Sequence, residues 1–265
     1  MTPITSLQNP RIKQIVSLHD RRKRDQAGVM LVEGYEELAL ALASGASPVE
    51  LYVCPPLFRD RAQADLIAAA GAAGASVIDV DERVFAKIAY RENPDGWLAM
   101  FRAEHHTLDD LRLSANPLLV VCEGVEKPGN LGAMLRTADA AGIDALISCD
   151  PHTDWANPNV IRASKGALFT VQTAEADSRR AIAWLHEREI QIIAATPAAS
   201  TLHFGADLRG PVAIAVGTEK QGLSDLWLQG ADIAVRIPMS GKVNSLNVAT
   251  ATALLVYEVV RQREP

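Results

Sequence analysis

The sequence predicts an α/β protein, a small α/β domain followed by a second domain built on a parallel sheet. Three observations lead there. Strand and helix signals alternate along most of the chain. From Leu118 onward the strand signals are near-continuous apolar runs, the pattern of strands buried on both faces of a parallel sheet. Between the two parts lies "EHHTLDDLRLSAN" (104–116), which has no clear periodicity and stops at Pro117. The expected organisation is a first domain over 1–103, a linker over 104–116 and a second domain over 117–265.

In the first domain "VMLVEG" (29–34) reads as a strand ending at glycine, and "YEELALALASG" as an amphipathic helix stopped by Gly45. "ELYVCPP" (50–56) is a strand closed by two prolines. A helix over 59–74, the strand "ASVIDV" (75–80), the helix "DERVFAKIAY" (81–90) and a last strand over 95–103 complete it. In the second domain strands are expected at 118–125, 144–150, 190–197, 212–219 and 232–239, with helices at about 130–142, 178–189 and 245–262.

The 265 residues can bury a sizeable core, and 48% apolar with 22% charged residues is ordinary for a globular chain. The first 200 residues hold no apolar run long enough to span a membrane, and the uncharged stretch from Val243 to Tyr257 is broken by Asn, Ser and Thr. No membrane association is expected. The N-terminus lacks an apolar signal core, so a cytoplasmic protein is expected. The cysteines at 54, 122 and 149 are far apart and suit reduced, buried thiols. His105-His106 has no neighbouring ligand set, and no metal is expected.

The net charge of −6 argues against nucleic acid, but its distribution does not. Arg11, Lys13, Arg21, Arg22, Lys23 and Arg24 crowd one short arm against Asp20 alone. Such an arm either holds RNA phosphates, because affinity follows local counterion release, or forms a solvated helix face. Charge alone leaves both readings open.

Ligands of open parallel sheets collect at the carboxyl ends of the strands. Three of those ends here are rich in glycine and polar residues: "EGVEKPGNLGAMLRTADAAG" (123–142), "GTEKQGLS" (217–224) and "SGKVNSLN" (240–247). "GVEKPGN" and "GTEKQGL" have the glycine spacing of a P-loop but lack the Lys and hydroxyl that follow it. The G-x-G-x-x-G fingerprint, the G-x-S-x-G elbow and the H-E-x-x-H zinc motif are absent. These absences disfavour nucleotide phosphate and leave the ligand unnamed.

The segments "NLGAMLRTADAAG" (130–142), "VGTEKQGLS" (216–224) and "IPMSGKVNSLNVATATA" (237–253) resemble, in order, the three motifs of the SpoU, or TrmH, family of RNA ribose methyltransferases within the SPOUT superfamily. Upstream, "LQNPRIKQIVSLHDRRKRDQAGVMLVEG" is similar to the ribosomal-protein-like RNA-binding domain that many members carry. The resemblance implies an S-adenosylmethionine-dependent 2′-O-methyltransferase of structured RNA. It further implies a second domain tied in a trefoil knot and working as a homodimer.

Site residues follow from the same resemblance. Arg136 matches the catalytic arginine, oriented by Asn130. Glu219 holds the glycine loop or contacts donor or RNA, and Ser245 and Asn247 help place the target ribose and phosphate. The methyl donor is expected around Gly217, Ile237 and Leu246, with Thr196, Met239 and Ser245 nearby. The helix "LNVATATALLVYEVV" is apolar nearly all round and needs cover from the core or from a second subunit. The extra first domain favours large-subunit rRNA as substrate. The alternatives are a tRNA methyltransferase and a non-catalytic RNA-binding protein, the latter opposed by the intact Asn130, Arg136, Glu219, Ser245 and Asn247.

Overall fold

The computed structural model describes residues 3–59, 64–243 and 245–264 and divides into two compact units. One comprises Met1–Glu104 together with Trp155–Thr170; the other comprises His105–Asp154 and Val171–Pro265.

The first unit opens with two short helices. The Asn9 side chain accepts the Arg11 N–H at 2.9 Å and Pro10 occupies the first turn, which starts α1 (Pro10–Ser17). Asp20 caps α2 (Arg21–Ala27), and Gly28 ends it at φ 61°. There follow β1 (Val29–Glu33), α3 (Tyr35–Ala43), β2 (Pro48–Val53), α4 (Ala64–Ala72), β3 (Ser76–Asp79), α5 (Glu82–Ile88) and β4 (Trp97–Arg102). The sheet order is β1-β4-β2-β3, with β4 antiparallel to both neighbours and β3 parallel to β2.

Alternate strand residues serve opposite faces of this sheet. Leu31, Tyr52, Leu98 and Met100 pack with Ile12 and Ile15 of α1 and Phe85 and Ile88 of α5. Val32, Leu51, Trp97 and Phe101 pack with Leu38 and Ala41 of α3 and Leu66 and Ala70 of α4. That second layer also contains Ile161, from the helix Pro158–Ser164, which is α7 in chain order. Two sequence expectations change here. The helix expected over 59–74 is described as Ala64–Ala72; residue 59 is not helical, and 60–63 lie outside the described residues. The first unit also takes in 155–170 from within the stretch expected to form the second domain, because Ile161 is buried against β-strand residues of the first.

The second unit runs β5 (Leu118–Glu123), α6 (Pro128–Ala141), β6 (Ala145–Cys149), β7 (Gln172–Ala176), α8 (Ser178–Glu187), β8 (Gln191–Ala195), β9 (Thr201–Leu202), β10 (Val212–Val216), α9 (Asp225–Gly230), β11 (Ile233–Arg236) and α10 (Val248–Arg263). Its seven strands lie in the order β7-β6-β5-β10-β8-β11-β9, and every pairing is parallel. Leu119, Val121, Ile147 and Ile192 from the strands are buried with Trp184 and Leu185 of α8 and Trp227 of α9. β7 escaped the sequence reading because "QTAEA" carries little apolar signal; it is an edge strand and needs less. The stretch expected as a linker is packed instead. Leu108 is buried, Leu111 and Leu113 lie on the same core, and the His106 carbonyl accepts the Glu175 N–H at 3.0 Å.

The helix expected over 245–262 begins at Val248, since the Asn247 side chain caps it from outside. It is not covered all round. Thr252, Leu255, Val256 and Val259 are buried, while Leu254 and Tyr257, three residues apart on one face, are 44% and 48% exposed. Cys54, Cys122 and Cys149 are free and buried, and burial pushes the Cys122 thiol up to about 12.

Candidate active site

The strand order creates a switch point. From β5 the chain moves through α6 to β6 on one side, whereas from β10 it moves through α9 to β11 on the other. The loops that leave the neighbouring strands β5 and β10 therefore diverge, and the crevice at their carboxyl ends is where such sheets bind ligands. The loops after β8 and β11 lie next along the same edge. All three sequence motifs open at this edge.

Polar contacts lock the crevice. The Asn130 amide donates to the Glu219 carboxylate, and its carbonyl accepts the Asn247 Nδ2–H at 3.0 Å. The Asn247 carbonyl in turn accepts the Ala249 and Thr250 N–H groups at the start of α10. The direction of this chain is forced from its acidic end. An ionised carboxylate only accepts, so Asn130 must turn its NH2 to Glu219 and its oxygen to Asn247. Lys127 Nζ stands 3.7 Å from the same Glu219 oxygen. Glu123, at the end of β5, accepts the Ser224 N–H at 2.7 Å from the loop after β10. Asn130 is buried, as a side chain with both polar ends satisfied can be.

The loop after β10 is a tight hairpin in which Thr218 and Gly222 exchange backbone bonds of 3.1 and 3.0 Å, with Gly222 at φ 71°. Gly217 supports it from below. A Cβ on Gly217 would overlap the Gly222 carbonyl and the Leu223 nitrogen, so no other residue fits.

The remaining predicted residues fall around this core. Arg136 lies on the exposed side of α6 and makes no hydrogen bond or ion pair among the described residues, which leaves its guanidinium available. Ser245 is exposed, and Leu246 is 36% exposed rather than core. Thr196, Ile237 and Met239 are half-buried at the ends of β8 and β11. Asn244, in the same turn, lies outside the described residues. Lys127 and Glu123 were not singled out from sequence; the only hint was their place in the first glycine-rich loop.

The basic arm is mostly as charge suggested. Arg11, Lys13, Arg21, Arg22 and Lys23 are exposed. Arg11 stands 4.0 Å from the half-buried Glu50 and Arg21 3.6 Å from the exposed Asp25, so both guanidiniums stay open to solvent and are held only weakly. Arg24 departs from the expectation. It is 2% exposed and donates to the Leu18 and His19 carbonyls at 3.1 Å, tying down the end of α1. Helix phase explains this: Arg24 is the one cation of α2 that faces inward.

The site fits S-adenosylmethionine, a ligand without phosphate. Beside the half-buried Ile237 and Met239, the backbone of residues 237–243 and 245–246 makes no hydrogen bond to another described residue. Apolar walls with open N–H and C=O groups suit an adenine ring and its edge.

Fold and site together define an S-adenosylmethionine-dependent RNA ribose 2′-O-methyltransferase. Residues 117–257 match the SpoU rRNA methylase family, and residues 9–99 match the MRM3-like substrate binding domain. The chain belongs to the SpoU rRNA methylase family. It is 34% identical to the 23S rRNA (guanosine-2′-O-)-methyltransferase RlmB of Ralstonia nicotianae over 88% of this chain and 96% of that protein. A crystal structure of an RNA 2′-O ribose methyltransferase is 40% identical, with a TM-score of 0.87 over 99% of each chain. The AdoMet-bound rRNA methyltransferase from Sinorhizobium meliloti is 30% identical, with a TM-score of 0.90 over 100% of this chain and 99% of that one.

Proposed function

We propose that this protein methylates a ribose 2′-hydroxyl of large-subunit rRNA in the cytoplasm, as a homodimer. The observation that carries the rRNA reading is the pairing of a substrate-binding domain with an intact methylase site in one chain, an arrangement shared along nearly the full length of a relative named for 23S rRNA. Buried free thiols suit a reducing compartment, and among the described residues no helix is long and apolar enough to cross a membrane. Mapping 2′-O-methylation across rRNA and tRNA by mass spectrometry, with and without the gene, tests the assignment. A methyl lost at one large-subunit nucleotide is expected; a loss confined to tRNA would overturn it.

S-adenosylmethionine supplies a methyl group activated on sulfonium. Ile237, Met239 and Leu246 form its apolar surroundings, with Thr196, Gly217 and Ser245 alongside. Arg136 grips the phosphate beside the target ribose in a bidentate fashion and stabilises the developing alkoxide. A guanidinium with a pKa above about 12 is a poor base, so Arg136 acts as a clamp and not as the proton acceptor. Asn130, held between Glu219 and Asn247, and the exposed Ser245 position the ribose. Arg11, Lys13, Arg21, Arg22 and Lys23 hold RNA phosphates, while Arg24 serves the fold.

The trefoil knot also belongs to this reading. Supporting it, β10 inserts between β5 and β8, and α10 returns to pack on α6, β5 and β10. The exposed Leu254 and Tyr257 support a second copy as the cover for α10. Sedimentation equilibrium is expected to show a dimer at micromolar concentration that Leu254→Glu/Tyr257→Glu splits; a monomeric parent protein would refute the dimer.

A further inference from the structure

Acidic side chains outnumber lysines and arginines in the second unit. The lysines of this unit are Lys127, Lys220 and Lys242, and they are not scattered over it. Each sits on a different one of the three glycine-rich loops that open at the carboxyl edge of the sheet, after β5, β10 and β11. The other permanent cations of the unit are arginines.

Side-chain contacts bind those loops together. Asn130, on the first turn of α6 behind Lys127, donates to Glu219, the residue before Lys220, and accepts from Asn247 at the end of the loop that carries Lys242. Lys127 itself caps the start of α6, with Nζ 3.7 Å from the Glu219 oxygen that the Asn130 amide uses. Lys220 lies inside the hairpin closed by Thr218 and Gly222, where the Thr218 hydroxyl oxygen also accepts the Gln221 N–H at 3.0 Å.

All three lysines are exposed. The Lys127 side chain is 71% exposed, so its pairing with Glu219 leaves it easily drawn to another anion. Lys220 and Lys242 make no hydrogen bond or ion pair among the described residues. Of the acids on the same loops, Glu123 and Glu219 are half-buried and engaged by the Ser224 N–H and by Asn130, which leaves Glu126 as the exposed one. Cations gathered on converging loops repel one another, and a polyanion relieves that repulsion. S-adenosylmethionine offers a single carboxylate and can engage one of them. Successive phosphates of an RNA strand can engage all three.

We propose that Lys127, Lys220 and Lys242 form a phosphate-binding rim of the catalytic crevice, which holds the RNA backbone next to the target ribose. Lysine suits that task. Its ammonium is a point charge on a flexible stem and follows a phosphate without the fixed geometry that a guanidinium fork imposes. Contacts of this kind set the position of the strand and read no base. The rim rests on the ribose methyltransferase reading and extends the RNA contacts from the first unit to the second.

The test measures binding of the full chain to a large-subunit rRNA transcript and to a scrambled RNA of equal length, by fluorescence anisotropy over a series of salt concentrations. Lys127→Gln, Lys220→Gln, Lys242→Gln and the triple variant are compared with the parent protein. Arg188→Gln is the control, an exposed cation just before β8 and so at the opposite, amino edge of the sheet. Each lysine variant is expected to weaken both RNAs by about fivefold and to lower the slope of log affinity against log salt by about 1, the triple by about 100-fold and about 3. Melting temperature and calorimetric affinity for S-adenosylmethionine should stay those of the parent, as should RNA binding by Arg188→Gln. A triple variant with the parent's RNA affinity and salt slope overturns the proposal. So does a loss confined to S-adenosylmethionine, which would make the lysines a site for the donor carboxylate, or a loss confined to the rRNA transcript, which would make them base readers. An equal loss in Arg188→Gln would assign the effect to net charge and also overturn it. Methyl transfer by the parent on the same rRNA transcript reports separately on the choice of RNA.

Discussion

Arg136→Lys is expected to lower kcat for methyl transfer by about 100-fold while leaving S-adenosylmethionine affinity and melting temperature unchanged. The side chain is exposed on α6 and pairs with no described residue, so the fold does not depend on it. Lysine keeps the charge and loses the planar fork that matches two oxygens at once. A role as a simple electrostatic anchor would survive that change; a bidentate clamp would not. Single-turnover kinetics with saturating RNA separates the two. Near-normal turnover in Arg136→Lys would remove the clamp from the mechanism.

Gly217→Ala is expected to abolish cofactor binding and to lower the stability of the second unit by about 3 kcal/mol, the upper range for overpacking. The obstacle is backbone: an added Cβ meets the Gly222 carbonyl and the Leu223 nitrogen, neither of which can rotate away as a side chain would. The hairpin closed by Thr218 and Gly222 must open, and with it moves Glu219, the anchor of Asn130. Gly129→Ala is the matched control, since nothing lies within 4 Å of a Cβ there. Calorimetric titration with S-adenosylmethionine and a thermal melt check both parts. Unchanged binding in Gly217→Ala would mean that the loop after β10 does not shape the donor site.

The glycine-rich loops were legible as a site because their composition conflicts with their surroundings. Apolar strands such as "VAIAV" need one or two turn residues to end, and "GTEKQGLS" supplies far more polar capacity than a turn requires. Leu246 shows the limit of the same reasoning. An apolar residue before an apolar helix reads as core, yet it is 36% exposed, because the helix begins only after Asn247. The basic arm shows it too. Charge counts treat Arg21 and Arg24 alike, but three residues along a short helix separate an exposed guanidinium from a buried one.

The sequence by itself determined the succession of strands and helices, the parallel character of the second sheet, and the three loops that carry the chemistry. These depend on periodicity and composition within a few residues of each position. Only the tertiary structure decided which of those loops meet. Asn130 joins Glu219 across 89 residues and Asn247 across 117, and nothing local encodes either partner. The strand order does, by setting β10 beside β5 so that their loops diverge over one crevice. The assignment of 155–170 to the first unit likewise depended on where Ile161 found apolar cover, and burial is decided by the whole fold.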